Sequence, residues 1–365
     1  MSQTTLSFDE KYHLITRNLH GIIGEDELKE LLQQRDPIIY WGTAPTSSCH
    51  IGYLCPLLKI ADFLAAGCTV KILIADLHAL LDSLKSSEDV IAARSLYYET
   101  IIKETFSALS VNIDKLIFVK GTDFQLSKEY TMDVYRANST ITYNRAKHAG
   151  AQVVKQSDNP NINSLLYPTL QALDEEYLGV DIQFGGYDQV KIFMHSREIM
   201  PKLGYKKRIY LMNHMIQALS KFPKKVDTTA KKGEEKLVEK MSSSDPSSKI
   251  DLLDDEKTIK KKVGSAYCKD CVIDDNTPLV LVKTLLFSVL SILKKDFVIN
   301  RPEQYGGPMT FTNFKDVEVA FENGSLLPVD LKLGIYDNLS NIMKPVREKF
   351  KEEGNKKILF DAYGI

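Results

Sequence analysis

The sequence predicts an α/β protein in two parts, a parallel sheet with flanking helices followed by a mostly helical unit. Three short apolar runs rich in β-branched residues alternate with two longer segments whose apolar residues repeat at helical spacing. Such alternation is typical of parallel strands joined by right-handed crossovers. The apolar runs are residues 38–41, 70–76 and 116–119, and the helical segments are residues 54–66 and 87–109.

The elements before the first of these strands are two helices. Ser7-Phe8-Asp9-Glu10 is a capping box, and it opens a helix that is predicted to run toward Ile22. A second helix is predicted to start at the acidic residues 25–27 and to end at Asp36-Pro37. After the third strand the alternation stops, and residues 180–186 return to a strand that ends in two glycines.

These patterns divide the chain into three stretches. Residues 1–225 are expected to form the sheet domain, with a mainly helical insertion at residues 124–170. Residues 226–257 are expected to be a mobile loop and linker, because the stretch 221–240 holds seven lysines, four acidic residues and little apolar content. Residues 258–365 read as a helical, amphipathic second domain.

Composition and charge exclude several classes of protein. An apolar content of 44% and a charged content of 26% argue against a disordered or fibrous chain. No signal peptide and no membrane span is evident, and five cysteines make a poor disulfide set, so a cytoplasmic protein without membrane contact is predicted. The net charge of −1 argues against a protein that binds nucleic acid through a generally basic surface. Residues 1–220 carry a net charge of −3 and residues 221–365 carry +2, so a local basic path for nucleic acid is still allowed.

Two segments have the composition of phosphate-binding sites, although the common glycine-rich phosphate loops are absent. Small residues, Thr46 among them, lead from the first apolar run to His50-Ile51-Gly52-Tyr53 and into a helix, where backbone amides and the helix dipole favour anions. Much later, Lys240-Met241-Ser242-Ser243-Ser244 offers a cation followed by three hydroxyls. Taken singly, the first segment could be a helix cap and the second a polar linker.

The pair of motifs at this spacing resembles the signatures of class I aminoacyl-tRNA synthetases, and the chain resembles the tyrosyl-tRNA synthetases of the archaeal and eukaryotic cytoplasmic branch. The resemblance extends over essentially the whole chain. It implies a Rossmann-like catalytic domain, an insertion at residues 124–170 that makes a homodimer contact, and a helical anticodon-binding domain. The segments that carry it are residues 40–43, 75–79, 120–126, 153–156, 167–174, 185–189 and 240–244.

The resemblance implies a tyrosine pocket. Tyr167, Gln171 and Asp174 are spaced i, i+4, i+7, so one face of a helix presents all three. Asp174 and the Tyr40 hydroxyl are expected to hydrogen-bond the phenol of the substrate. Phenylalanine would leave such groups unpaired, a discrimination for which tyrosyl-tRNA synthetases are themselves the standard example. The residues expected at the α-amino and carboxylate end are Tyr167, Gln171 and Gln189, and His78 is expected to line the pocket.

The resemblance also implies roles around ATP. The tyrosine carboxylate attacks the α-phosphate, so positioning and charge stabilisation are the expected means of catalysis. His50, Lys240, Ser242, Ser243 and Ser244 are the expected catalytic contacts to the phosphates, and Mg²⁺ is expected to arrive with ATP and pyrophosphate. No metal ligated by the protein is expected, since Cys268-Lys269-Asp270-Cys271 lacks a second pair. The other expected ATP-binding residues are Gly42, Thr46, Gly52, Asp188, Met215 and Ile216.

The expected macromolecular partners are tRNA(Tyr) and a second copy of the chain. Tyr305 is expected to stack on the first anticodon base and Asp330 to accept hydrogen bonds from a guanine edge. Lys191 is expected to contact the acceptor end, next to Val190, where relatives usually carry arginine. Position 53 is Tyr instead of the second signature histidine, and Ser243 replaces a second lysine.

Three alternatives remain open from the sequence. A tryptophanyl-tRNA synthetase shares both motifs, but an indole cannot use the Tyr40 and Asp174 pair as a phenol does. An RNA-binding or signalling protein on an inactive synthetase scaffold is disfavoured by the intact motif at residues 240–244. A small-molecule nucleotidyltransferase shares the histidine turn but needs neither Tyr305 nor Asp330.

Overall fold

The computed structural model describes residues 6–83, 86–153, 161–216, 219, 241 and 249–365. Its centre is a six-stranded sheet in the order β1-β6-β5-β2-β3-β4. All neighbouring pairs are parallel except β1 and β6 at one edge. The predicted α/β class is therefore confirmed. The strands are β1 (Leu19–Ile23), β2 (Ile38–Thr43), β3 (Thr69–Ile74), β4 (Leu116–Lys120), β5 (Ile182–Gly186) and β6 (Ile209–Asn213).

Nine helices accompany this sheet within the described residues. The longest of them, α5 (Glu88–Ala108), begins after the N-cap residue Ser87, whose hydroxyl accepts a hydrogen bond from the Val90 amide. Three helices occupy the predicted insertion and its continuation. The nine are α1 (Phe8–Thr16), α2 (Glu25–Gln34), α3 (Leu54–Ala65), α4 (Asp76–Ser83), α5 (Glu88–Ala108), α6 (Lys128–Asn138), α7 (Tyr143–Gly150), α8 (Ile162–Tyr177) and α9 (Val190–Ile199).

The first helix is shorter than predicted, and the edge of the sheet explains why. The capping box forms as expected, but α1 ends at Thr16, and Asn18 takes a left-handed φ of 58°. Asparagine tolerates this conformation, which turns the chain into β1. The prediction of a helix toward Ile22 was wrong because β1 pairs with β6, a strand some 190 residues later that the sequence reading also missed.

The remaining elements form the mostly helical unit. A short antiparallel hairpin interrupts the helices and packs on the longest helix of the unit. Its neighbouring helices include a π-helical turn at Val282–Leu286. The elements are α10 (Glu256–Ser265), α11 (Thr277–Leu281), α12 (Phe287–Leu293), β7 (Phe297–Ile299), β8 (Met309–Phe311), α13 (Phe314–Glu322), α14 (Pro328–Lys349) and α15 (Glu353–Tyr363).

One apolar cluster joins the sheet to the helical unit. It contains Ile72 and Phe106 from the first part and Leu285 and Leu339 from the second, all essentially inaccessible to solvent. Burial of this kind is the main stabilising contribution to the arrangement. The division at residues 226–257 stays a prediction. Within the described chain, no helix combines the length and the apolar character needed to cross a bilayer.

Candidate active site

A small cavity opens at the carboxyl ends of β2 and β3, against α8. Ligands of parallel α/β sheets bind at this edge. All six predicted tyrosine-binding residues line it. Its lining comprises Tyr40, Gly42, Thr43, Ala44, Leu73, Ala75, His78, Tyr167, Gln171, Asp174 and Gln189.

Helix α8 presents its predicted face to the cavity. Asp174 is completely buried, Gln171 is 9% exposed and Tyr167 is half-buried, so the three residues run from the floor of the cavity toward its mouth. The Tyr167 ring meets the His78 ring edge-on, with centroids 4.6 Å apart. The i, i+4, i+7 spacing therefore places three polar side chains at three depths of one wall.

Within the described residues, one oxygen of the Asp174 carboxylate accepts hydrogen bonds and the other accepts none. Oδ1 accepts hydrogen bonds from Gln125 Nε2 at 2.7 Å and from the Tyr130 hydroxyl at 2.8 Å. Oδ2 is buried and has no hydrogen-bond partner among the described residues. Because a buried carboxylate oxygen without a partner carries a substantial free-energy cost, Oδ2 is the acceptor that the cavity offers to a ligand donor.

Gln125 and Tyr130 were missed as site residues in the sequence. Gln125 follows the carboxyl end of β4, where the sheet places ligand-binding side chains, and this position was the available signal. Gly121 makes room for it, since a Cβ there would lie 2.3 Å from Gln125 Oε1. Tyr130 lies on α6 and also donates to the Leu170 carbonyl at 2.8 Å, a contact that no local pattern predicts.

Tyr40 reaches the same floor from β2. Its hydroxyl donates to the main-chain carbonyl of Gln171 at 3.2 Å. Burial, reinforced by the Asp174 and Glu175 charges, raises the pKa of Tyr40 well above its usual value, so the phenol stays neutral. A neutral hydroxyl both donates and accepts, which complements the carboxylate of Asp174.

The cavity is a poor environment for charge. Burial lowers the pKa of His78 to about 4, so its ring is neutral at pH 7. Burial raises the pKa of Asp174 to about 7, although the hydrogen bonds from Gln125 and Tyr130 act in the opposite direction. Asp174 therefore changes its ionisation close to neutral pH.

Asp174→Asn is expected to become progressively more stable than the parent protein between pH 5 and pH 7. In the unfolded chain the carboxyl titrates near pH 4. The folded protein holds this proton up to about pH 7, so its free energy of unfolding falls as pH rises between these values. A neutral amide removes that dependence, so the free energy of unfolding of the variant should exceed that of the parent protein by about 1–3 kcal/mol. Urea denaturation at a series of pH values measures it, and a difference that is constant with pH would contradict it.

The mouth of the cavity holds two glutamines in contact. Gln171 Nε2 donates to Gln189 Oε1 at 2.8 Å. Gly185 permits this position, since a Cβ there would lie 2.8 Å from Gln189 Oε1 and 2.9 Å from the Phe193 ring. Together with Tyr167, these amides form the polar end of the cavity, opposite Asp174.

Next to the cavity, His50 begins the turn that leads into α3. Its Nδ1 accepts from the Gly52 amide at 3.1 Å and caps the short helical turn Ile51–Tyr53. A Cβ on Gly52 would lie 2.6 Å from the His50 ring, so this contact itself favours a glycine at the position. Thr46 lies exposed on the same connection.

Two main-chain contacts anchor the chain at and after the second motif. Within the motif, the Met241 amide donates to the Ile216 carbonyl at 2.9 Å. After it, the Ile51 amide donates to the Ile250 carbonyl at 2.8 Å, beside a bridge between His50 and Asp251. Residues 220–240 and 242–248, which include Lys240, Ser242, Ser243 and Ser244, lie outside the described residues.

The predicted adenosine side is assembled around Gly186. A Cβ there would lie 2.5 Å from Asp188 Oδ1 and 2.7 Å from Met215 Sδ. The glycine therefore lets these two predicted ATP-binding residues approach the end of β5 together. Ile216 is buried beside them. Within the described part of the chain, no group of three or more His, Cys, Asp or Glu side chains is placed to hold a metal ion.

The predicted anticodon residues lie far along the chain, in the helical unit. The Tyr305 side chain is 65% exposed, and Asp330 is buried in the first turn of α14. Arg301, which was not assigned a role from the sequence, lies between Asp330 and the turn that follows Tyr305. Its Nε donates to the Gly307 carbonyl at 3.1 Å and its Nη1 lies 3.6 Å from Asp330. Lys191 is half-buried in the first turn of α9.

Comparison with known proteins gives consistent matches. The family model "tRNA synthetases class I (W and Y)" matches residues 32–344. The cytoplasmic tyrosine–tRNA ligase of Danio rerio is 47% identical over 98% of this chain and 64% of its own length. That of Saccharomyces cerevisiae is 43% identical over 96% of this chain and 86% of its own length. A tyrosyl-tRNA synthetase from Archaeoglobus fulgidus, solved with L-tyrosine, is 30% identical with a TM-score of 0.81, covering 94% of this chain and 99% of that one. The chain thus spans less than two thirds, 64%, of the length of the Danio rerio relative.

Proposed function

Since the chain belongs to the tyrosyl-tRNA synthetases of class I, we propose that it activates L-tyrosine with ATP and transfers the tyrosyl group to the 3′-terminal adenosine of tRNA(Tyr). The observation that carries the proposal is the buried Asp174 Oδ2, which has no partner among the described residues and lies in a cavity shared with Tyr40. A phenol hydroxyl donates to the one and accepts from the other, once the Tyr40 O–H rotates from the Gln171 carbonyl toward the ligand. The "cytoplasmic" in the relatives' names supports a cytoplasmic location.

In the first step, a carboxylate oxygen of tyrosine attacks the α-phosphorus of ATP and pyrophosphate leaves with Mg²⁺. In the second, a hydroxyl of the terminal adenosine attacks the activated carbonyl and AMP leaves. Neither step requires a strong base, so the protein contributes position and charge stabilisation. Gln171, Gln189 and Tyr167 hold the reacting end of tyrosine, and His50, Thr46, Lys240 and residues 242–244 contact the phosphates.

Pyrophosphate exchange with tyrosine and with tryptophan tests this proposal against its nearest alternative. The matching family includes both specificities, but the hydrogen-bonding pair on the cavity floor suits a phenol and leaves an indole without an equivalent oxygen. Exchange that depends on tyrosine is expected. Faster exchange with tryptophan would overturn the specificity, and no exchange with either would favour an inactive scaffold. The family membership leaves no support for a small-molecule nucleotidyltransferase.

We place tRNA recognition in the unit at residues 258–365, after the linker 226–257 and the catalytic domain 1–225. Tyr305→Ala is expected to raise KM for tRNA(Tyr) by about tenfold, because an exposed aromatic ring supplies stacking to one base. Tyrosine-dependent pyrophosphate exchange should remain unchanged. Aminoacylation kinetics measure the effect, and an equal loss in both assays would contradict a role confined to tRNA.

We also propose that the insertion at residues 124–170 forms the contact of a homodimer. Large apolar side chains are exposed there, and Met132 and Tyr135 are neighbours on one face of α6. The exposed residues on and beside the insertion are Leu126, Met132, Tyr135, Tyr143, Ile162 and Met194.

The double substitution Met132→Asp and Tyr135→Asp is expected to convert the dimer to a monomer, because two carboxylates would lose their hydration in an apolar contact. Sedimentation velocity measures the assembly state. Leu96→Asp, at an exposed apolar position on α5, is the matched control and should remain dimeric. A parent protein that sediments as a monomer at micromolar concentration would contradict the proposal.

A further inference from the structure

The last helix of the chain packs beneath the predicted ATP-binding turn. The Tyr363 ring at the end of α15 meets the ring of Tyr97 on α5 edge-on, with centroids 5.0 Å apart. The hydroxyl of Tyr97 in turn accepts a hydrogen bond from the main-chain amide of Cys49 at 3.3 Å. Cys49 directly precedes His50, so two side-chain contacts connect α15 to the turn.

Tyr97 and its neighbour Tyr98 hold the turn by its main chain. The Tyr98 hydroxyl donates to the Ser47 carbonyl at 2.7 Å, and the Tyr97 hydroxyl accepts from the Cys49 amide. Both tyrosines are fully buried, and the Cys49 amide is buried with them. An amide in this position has no solvent to replace a lost acceptor, so the position of Tyr97 constrains the position of the turn.

The position of Tyr97 is set from the helical unit. Phe350, at the end of α14, contacts its ring with centroids 5.7 Å apart, while Tyr363 contacts it from α15. Tyr363 is itself fixed by Arg94, whose Nε donates to the Ala362 carbonyl at 3.2 Å and whose guanidinium lies 5.2 Å from the Tyr363 ring centre. Two aromatic side chains of the predicted anticodon-binding domain therefore pack on one residue of the catalytic domain.

We propose that Tyr363 positions the ATP-binding turn through Tyr97, so that α15 of the C-terminal unit contributes to ATP binding. The proposal rests on the activity proposed above. Both tyrosines are positioning residues, since neither lines the tyrosine cavity, and they act on the main chain at Cys49 beside His50. The effect is specific to one substrate: ATP binding depends on the turn, whereas the tyrosine cavity is built by α8, β2 and β3.

Pyrophosphate exchange measured separately against ATP and against tyrosine tests this coupling. Tyr97→Phe keeps the ring and removes only the acceptor of the Cys49 amide, and KM for ATP is expected to rise about tenfold. Tyr363→Leu keeps apolar volume but loses the edge-on ring contact, and a rise of about threefold to tenfold is expected. KM for tyrosine should stay within about twofold of the parent value in both variants.

Two further variants separate positioning from general stability. The Tyr363 hydroxyl has no hydrogen-bond partner among the described residues, so Tyr363→Phe should keep the parent KM for ATP. Phe360→Ala, at an exposed position of the same helix, is the matched control and should also be unchanged. Unaltered KM for ATP in Tyr97→Phe or in Tyr363→Leu would overturn the proposal, as would an equal rise of both KM values. A parent protein without exchange activity would instead contradict the proposed function.

Discussion

Asp174→Asn is expected to lower kcat/KM for tyrosine activation by about 10- to 100-fold. The amide oxygen can still accept from Gln125 and Tyr130, so the local network is retained. The amide nitrogen takes the place of Oδ2, and a donor then faces the phenol hydroxyl where a charged acceptor stood. Hydrogen bonds to charged groups contribute about 1.5–3 kcal/mol, which sets the size of the loss.

Pyrophosphate exchange with tyrosine and phenylalanine measures this effect. Phenylalanine has no hydroxyl that could lose a hydrogen-bond partner, so kcat/KM for phenylalanine should change little. The preference for tyrosine over phenylalanine should therefore fall by the same factor as kcat/KM for tyrosine. Glu176→Gln is the matched control, because Glu176 lies two positions further along α8 and pairs with Arg208 away from the cavity. A proportional loss with both amino acids would mean that Asp174 supports the fold of the cavity and does not select the phenol.

The family resemblance implied the roles of the site residues, and local patterns explain why the structure brings many of them together, because they lie on regular elements. The i, i+4, i+7 spacing of Tyr167, Gln171 and Asp174 is a property of any helix, and the strand ends that hold Tyr40 and Gln189 follow from the order of the sheet. Such features need no knowledge of distant contacts. The fold class and the position of the cavity were accessible for the same reason.

The features that escaped prediction depend on pairs of residues far apart in the chain. Strand β1 reads as the continuation of a helix, and only its pairing with β6 makes it a strand. Tyr130 on α6 donates a hydrogen bond to Asp174 on α8, and Tyr97 on α5 accepts one from Cys49 in the predicted ATP-binding turn. Burial decides these contacts, since a hydroxyl or a carboxylate removed from water must find a partner wherever the fold supplies one.

Lys240→Ala is expected to slow the formation of tyrosyl-adenylate by about 100- to 1,000-fold. Lys240 is the one lysine or arginine among residues 240–244, because position 243 is a serine. It directly precedes Met241, whose amide bonds to the carbonyl of Ile216 beside the predicted adenosine side. The segment that follows the motif pairs with the His50 turn through Ile250 and Ile51. The chain is thus tied to the predicted ATP site at Met241 and again at Ile250, and loss of one group that stabilises developing charge at such a site has an effect of this size.

Single-turnover measurement of adenylate formation separates this effect from substrate binding. The charge that Lys240 stabilises develops as pyrophosphate leaves, so the maximal rate should fall while the affinity for tyrosine stays at the parent value. Lys236→Ala, in the same lysine-rich stretch, is the matched control and should keep the parent rate. Lys240→Arg should recover part of the rate, because it restores the charge with a different geometry. A normal rate with weakened tyrosine binding would remove Lys240 from the chemical step.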